Sequence, residues 1–323
     1  MFKRKLGKSG LEVSAMGLGG WAIGGTAWAG DQPVGWGKVD DDESIHALRR
    51  GFDLGVNLFD TADGYGNGHS EQVLGRAFAG MRERVIFATK FGGGFDPETA
   101  QNLDQDASPI RRACEASLRR LNTDYIDLYQ FHRNNYNPVK AVAVREALEE
   151  LVKEGKIRYY GWSTDYAENA RVFATGPHCV AIQKHLNVFY GNDETLGVCE
   201  EFGLASINRG PLAMGLLTGK FTADSQLPAD DIRSSNFSWL EYFDDGKPNQ
   251  EFLDKVDAVR EVLTSGGRTL VQGALAWLWG RSEQTIPIPG FKTVAQIEEN
   301  VAAMEFGPLT AEQMQEVDKV LGN

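Results

Sequence analysis

The chain has 323 residues, 42% of them hydrophobic and 24% charged, enough apolar material for a large core and too much for a disordered polymer. Thirty-three Lys and Arg stand against 45 Asp and Glu, a formal charge of −12 that opposes binding to nucleic acid or to anionic lipid. The three cysteines, Cys114, Cys179 and Cys199, form no Cys-x-x-Cys pair and have no histidine at ligand spacing, which points to buried thiols in a reducing compartment rather than a metal site.

Met1 to Lys8 is charged, but no apolar stretch follows, so a secretory signal is not expected. Apolar runs such as Ala274 to Trp279 are far short of the roughly 20 residues of a membrane span. A cytoplasmic location is the expectation. Length allows two average domains, yet barrels of alternating strands and helices reach this size as one.

Residues 2 to 14 read as a β-hairpin turning at Gly7-Lys-Ser-Gly10, suited to cap the lower end of a barrel. A first strand is expected at 15 to 19. Gly17-Leu-Gly-Gly-Trp-Ala22 has the form of a dinucleotide fingerprint, but that motif needs a helix directly after it, and Gly24, Gly25, Gly30, Pro33, Gly35 and Gly37 follow instead. The better reading is a flexible loop carrying Trp21, Trp28 and Trp36. These could wall an apolar substrate site or pack against the barrel.

From there helices and strands alternate. The pattern predicts helix 42–54, a strand closing at Asp60, helix 69–79, strand 85–90, helix 108–121, strand 126–131, helix 138–154, strand 157–162, helix 165–174, strand 179–184, helix 193–202 and strand 204–208. Ser108-Pro109 and Asn137-Pro138 each read as an N-cap followed by proline at the first helical position. The segment 211–250, rich in Asp, Ser and Pro, reads as a long rim loop and candidate lid. A helical stretch in two pieces over 251–280, strand 285–289, and helices from about 293 and 310 complete the chain. Eight strand candidates after the hairpin, with no low-complexity linker, predict an α/β fold: one (β/α)8 barrel domain over 1–323, with an N-terminal hairpin and a C-terminal helix.

In such a barrel the C-terminal strand ends meet on one rim. That brings together Asp60, Tyr65 in the loop after it, Lys90 and His132. A tyrosine ordinarily titrates near pH ~10; a lysine ammonium beside it favours the phenolate, and a carboxylate keeps that lysine charged and placed. Histidine can donate to a carbonyl oxygen and steer it toward the phenol. His46, His69, His178 and His185 lack such company and are given no role.

Asn57-Leu-Phe-Asp-Thr-Ala-Asp-Gly-Tyr65 with Ser70-Glu71, Ala88-Thr-Lys90, and Asp127-Leu-Tyr-Gln-Phe-His132 resemble the aldo-keto reductase superfamily, within it the branch of bacterial general oxidoreductases and potassium-channel β-subunit-like proteins. The resemblance covers nearly the whole chain. It implies Asp60, Tyr65, Lys90 and His132 as the catalytic tetrad, with Tyr65 protonating the alkoxide that hydride transfer from NADP(H) creates on an aldehyde or ketone.

It also implies a cofactor site. In the family the segment Ile286 to Asn300, with Gly290 in its turn, grips the adenosine end: Lys292 and Thr293 at the 2′-phosphate, Gln296, Glu299 and Asn300 at ribose and adenine. By spacing alone an ordinary strand-to-helix junction stays open. Gln296 stands where an arginine is frequent, which leaves use of NAD(H) open beside NADP(H). Ser163 and Gln183 would meet the carboxamide, with Thr164 in place of the usual amide side chain. Arg209 replaces a stacking aromatic under the nicotinamide, where its charge would favour the reductive direction. Pro211, Leu212, Gly215 and Lys220 would line the pyrophosphate. Trp21, Trp28 and Phe91 suggest an apolar or ring-bearing carbonyl substrate. A nucleotide-sensing regulatory subunit of the same fold is the alternative from another class, and a barrel lyase or hydrolase a third. No oligomer interface is legible.

Overall fold

The computed structural model describes residues 2–93, 106–190 and 194–322. After an antiparallel hairpin of β1 (Lys3–Lys5) and β2 (Glu12–Ser14) come eight parallel strands. They are β3 (Leu18–Gly19), β4 (Leu58–Asp60), β5 (Ile86–Phe91), β6 (Ile126–Phe131), β7 (Ile157–Ser163), β8 (Cys179–His185), β9 (Ala205–Arg209) and β10 (Thr285–Pro287), each beside the next in sequence. The barrel closes where Gly17 N and Gly19 N donate to Pro287 O and Pro289 O, both at 3.0 Å. Gly19 is required at that seam, because a Cβ there would lie 2.7 Å from Ile288 O. The prolines are tolerated because the strand still donates outward to β9, through Ile288 N to Asn208 O at 3.1 Å.

The intervening helices are α1 (Asp41–Asp53), α2 (His69–Ala77), α3 (Ser108–Leu121), α4 (Pro138–Lys153), α5 (Ala167–Ala174), α6 (Glu194–Phe202), α7 (Gln250–Thr264), α8 (Leu270–Arg281), α9 (Val294–Phe306) and α10 (Ala311–Leu321). α7 and α8 are the two pieces expected near 251–280. Asn137 caps α4 as the sequence suggests, accepting from Val139 N and Lys140 N. Ser108 does not cap α3; it is already the first helical residue, and its backbone and hydroxyl both donate to Asp106. Among the described residues no helix is long and apolar enough to cross a membrane.

Period-2 alternation sorts the strand side chains into two cores. Leu58, Ile86, Ala88, Leu128, Val180, Ala181, Ala205, Ile207 and Ile286 fill the lower barrel, and Leu6 and Val13 of the hairpin plug it from below. Phe59, Phe87, Phe91, Tyr129, Phe131 and Trp162 point the other way, into the layer between barrel and helices. The polar ends Asp60, Lys90, Gln130 and Gln183 therefore sit above a dry floor.

The first rim loop is ordered around a 3-10 turn at Ala22–Gly24 and a small ribbon of Trp28–Ala29 with Gln32–Pro33, and no helix follows Ala22. The long segment after β9 holds 3-10 turns at Ala213–Thr218 and Ile232–Ser234 and a ribbon of Phe243–Asp244 with Lys247–Pro248. The two are joined: Ile232 N donates to Gly35 O at 2.7 Å, Trp36 bridges Asp231, and Asn236 N donates to Gln32 Oε1 at 3.1 Å. At this junction Arg233 donates to both oxygens of buried Asp231 (2.8 and 2.7 Å) and lies over the rings of Trp36, Phe221 and Phe243.

Candidate active site

Asp60 ends β4, Lys90 lies in β5, and His132 directly follows β6, so strand pairing alone brings three of the four groups to one rim. Tyr65 is delivered by the loop between β4 and α2. That loop is pinned by Ser70, whose hydroxyl donates to Gly20 O and accepts from Thr61 Oγ1, both at 2.8 Å. Beneath it Glu71 accepts from Thr89 Oγ1 and Arg120 Nε, each at 2.6 Å.

Lys90 is wholly buried and its ammonium has three partners: Asp60 Oδ1 at 2.5 Å, Thr61 O at 2.8 Å and Tyr65 Oη at 3.2 Å. The other Asp60 oxygen accepts from Gln130 Nε2 at 3.1 Å and Gln183 Nε2 at 2.8 Å. Burial opposes the lysine charge, but Asp60 and Tyr65 together outweigh it and hold its pKa above the ordinary value. Lys90 lowers the Tyr65 pKa as expected, but its effect does not decide the net value. Burial dominates, Asp60 adds to it, and Tyr65 is raised despite Lys90 and Arg209. Tyr65 is thus held as a protonated donor at neutral pH.

His132 is pushed well below its ordinary value by burial and by the charges of Lys90 and Arg209, so it is neutral. Its ring meets Tyr65 edge-on with centroids 6.0 Å apart. Its Nδ1 is buried without a partner among the described residues, against Gly93, where a Cβ would stand 2.3 Å from that nitrogen. An N–H left there would go unsatisfied, so the proton belongs on Nε2, which can then donate.

Half-buried Asp63, in the same loop, has a pKa raised to about 7 by burial and by Glu71, against the opposing charge of Arg120. Between the ordinary carboxyl range and pH ~7 the native state therefore binds more protons than the unfolded chain, and stability falls as pH rises through that window. Asp63→Asn should raise Tm relative to wild type at about pH 8 and not at about pH 4; equal pH dependence of the two melting curves would refute this.

The expected substrate residues separate. Trp21 stacks on Tyr65 at 5.8 Å and 20°, and donates through Nε1 to Val34 O at 3.2 Å. Trp28 is 49% exposed on the loop ribbon, and no ring contact joins it to Tyr65. Phe91 does not face the mouth: directly after inward-facing Lys90 it points outward and stacks on Tyr129 at 4.7 Å. Phe91→Leu should leave substrate KM unchanged and cost about 1–2 kcal/mol in urea denaturation; a changed KM would restore it to the pocket wall. Sequence reasoning missed Trp239, 53% exposed in the long loop and 6.5 Å from Trp21, because nothing local marks a loop residue as reaching across the rim.

Of the expected cofactor residues, Ser163 and Gln183 stand level on β7 and β8. The Thr164 hydroxyl turns away, donating to Asn134 O at 2.7 Å. Arg209, at the end of β9, pairs with Asp165. His185, given no role from sequence, joins this corner: Tyr242 Oη lies 2.8 Å and Asn187 Nδ2 2.9 Å from its Nε2, which ties the long loop to β8. Pro211, Leu212 and Gly215 run along the first turn of that loop, and Lys220 follows with its ammonium 5.0 Å from the Phe221 ring centroid. Beyond Gly290, Thr293 caps α9 in a reciprocal box with Gln296, and Lys292 donates to Trp36 O. Glu299 accepts on its carbonyl from Gln272 Nε2 at 3.4 Å, and the Asn300 amide nitrogen is buried with no partner among the described residues.

A model of the Aldo/keto reductase family matches residues 15–321. The chain is 32% identical over 324 residues to aldo-keto reductase YhdN of Bacillus subtilis, covering 98% of this chain and 92% of that protein. It is 32% identical over 279 residues to the Schizosaccharomyces pombe aldo-keto reductase yakc [NADP(+)], covering 84% and 80%. Among solved structures, the glycerol dehydrogenase AKR11B4 of Gluconobacter oxydans superposes with a TM-score of 0.79 at 30% identity, covering 99% and 95%. A Klebsiella pneumoniae aldo/keto reductase in complex with NADP and acetate superposes with a TM-score of 0.72 at 26% identity, covering 99% and 96%. With its eight-stranded barrel, its rim of Asp60, Tyr65, Lys90 and His132, and a family match over nearly its full length, this chain belongs to the aldo/keto reductase family.

Proposed function

We propose that the protein reduces an aldehyde or ketone to the alcohol with NADP(H), Tyr65 acting as the general acid. The observation that carries this is the Lys90 ammonium, which touches Asp60 and Tyr65 Oη at once beside a neutral His132. When bound, the reduced nicotinamide supplies the hydride. His132 Nε2–H orients the carbonyl oxygen toward Tyr65, and the phenol gives its proton to the oxygen as charge develops there. Lys90, held by Asp60, stabilises the phenolate that remains. The raised Tyr65 pKa suits the reductive direction, since the acid form persists at neutral pH.

The residues fit the cofactor on one further count. A buried amide nitrogen without a partner, as on Asn300, asks for an acceptor that the described residues do not provide. Relatives crystallised with NADP and with NADPH support a nicotinamide nucleotide as the cofactor. Trp21 and Trp239 support an apolar or ring-bearing carbonyl substrate.

The test is carbonyl-dependent loss of reduced-nicotinamide absorbance over a panel of small aldehydes and ketones, with product identified as the alcohol. Turnover supports the reading. Nucleotide binding with no turnover across the panel would favour a regulatory subunit instead, and no nucleotide binding would sink both.

A further inference from the structure

The start of α9, where a 2′-phosphate would have to be gripped, is already occupied by oxygens of the chain itself. Gln296 Oε1 accepts from Lys292 N at 2.7 Å and Thr293 N at 3.3 Å. Thr293 Oγ1 accepts from Gln296 N at 3.3 Å. A carboxylate from a different helix, Glu43 of α1, accepts from Val294 N at 3.0 Å. Three of the amides that the helix N-terminus could offer to an anion, and the Lys292 amide just before it, are thereby spent.

Two of the three cations of this corner are engaged by the chain, and the third, Lys220, lies against the Phe221 ring. Arg233 is held by both oxygens of Asp231 and by Met214 O at 3.0 Å, and the Lys292 ammonium by Trp36 O. Desolvation lowers the Lys292 pKa, and the charges of Asp231 and Asp230 only partly restore it. A dianionic phosphate arriving here would have to displace Gln296 and approach the Glu43 carboxylate. A ribose hydroxyl is a donor, and a carboxylate is its natural acceptor. Asn300, further along the same helix, has a buried amide nitrogen without a partner among the described residues, a donor that could serve the adenosine end of either nucleotide.

We propose that Glu43 and Gln296 set the nucleotide preference of this protein, so that the 2′-phosphate adds no net affinity and NADH binds as well as NADPH. This rests on the reading of the rim as a nicotinamide-nucleotide site. Glu43 lies about 250 residues from α9 in sequence and enters only through the packing of α1 on α9.

The experiment titrates the whole protein with NADH and with NADPH, following quenched tryptophan fluorescence and checking Kd by calorimetry. Wild type should give Kd values within about threefold of each other, less than 1 kcal/mol apart. Glu43→Gln should shift the ratio toward NADPH by about tenfold, since it removes a like charge at the phosphate position without removing bulk. Gln296→Ala, which frees two amides, should shift it the same way. Binding of NADPH more than about tenfold tighter by wild type, or a ratio that neither variant moves, would overturn the proposal. Failure of both nucleotides to bind would instead remove the nucleotide site itself, and this inference with it.

Discussion

Tyr65→Phe should lower kcat for carbonyl reduction by about 10²–10⁴-fold while the reduced nucleotide still binds, the loss expected for removing a positioned proton donor. The substitution spares the scaffold. Lys90 keeps its bonds to Asp60 and Thr61 O, and a phenyl ring can retain the stacking on Trp21. The defect should therefore appear in the chemical step and not in Tm or nucleotide Kd. The pH profile provides a second readout. Tyr65 stays protonated above its ordinary value and His132 stays neutral to well below its own, so wild-type kcat should hold across the neutral range. A Phe variant retaining more than about a tenth of wild-type kcat would transfer the acid role elsewhere.

Asp60→Ala is expected to cost about 3–5 kcal/mol of stability, as breaking one side of a buried ion pair leaves the other charge uncompensated. Lys90 has no solvent access, the Gln130 amide loses its acceptor, and the Gln183 amide keeps only Gln130 Oε1 at 3.2 Å. Burial then acts on Lys90 without the largest opposing influence, and its pKa should drop, so turnover falls together with stability. Lys90→Met in the Asp60→Ala background should recover part of the stability and none of the activity, which separates the two roles. Equilibrium urea unfolding decides the point. A loss below about 1 kcal/mol would mean that the pair is hydrated in solution.

How much of this was legible beforehand depends on the range of the signal. The strand at Ile126–Phe131 and the helix at Ser108–Leu121 have the bounds expected from local periodicity, because alternation and turn chemistry are carried by neighbouring residues. The positions of Asp60, Lys90 and His132 followed from strand order, since the C-terminal ends of parallel strands meet whatever the loops do. What failed were statements about direction and environment. Phe91 was misplaced by ignoring the pleat: a residue next to an inward lysine must face outward. The net rise of the Tyr65 pKa could not be read, because burial is a property of the closed barrel and outweighs the single neighbour that the motif displays.

His185, Trp239 and Glu43 form the other class. Each acquires its partner from a segment far away in sequence: Tyr242 for His185, Trp21 for Trp239, the Val294 amide for Glu43. Their local sequence carries no mark of it. The alternation of strands and helices and the polar strand ends, residue by residue, determined the barrel and its reactive rim. Loop docking and helix packing decided which side chains face the rim and what charge they hold, because those depend on contacts and desolvation that exist only once the chain has closed on itself.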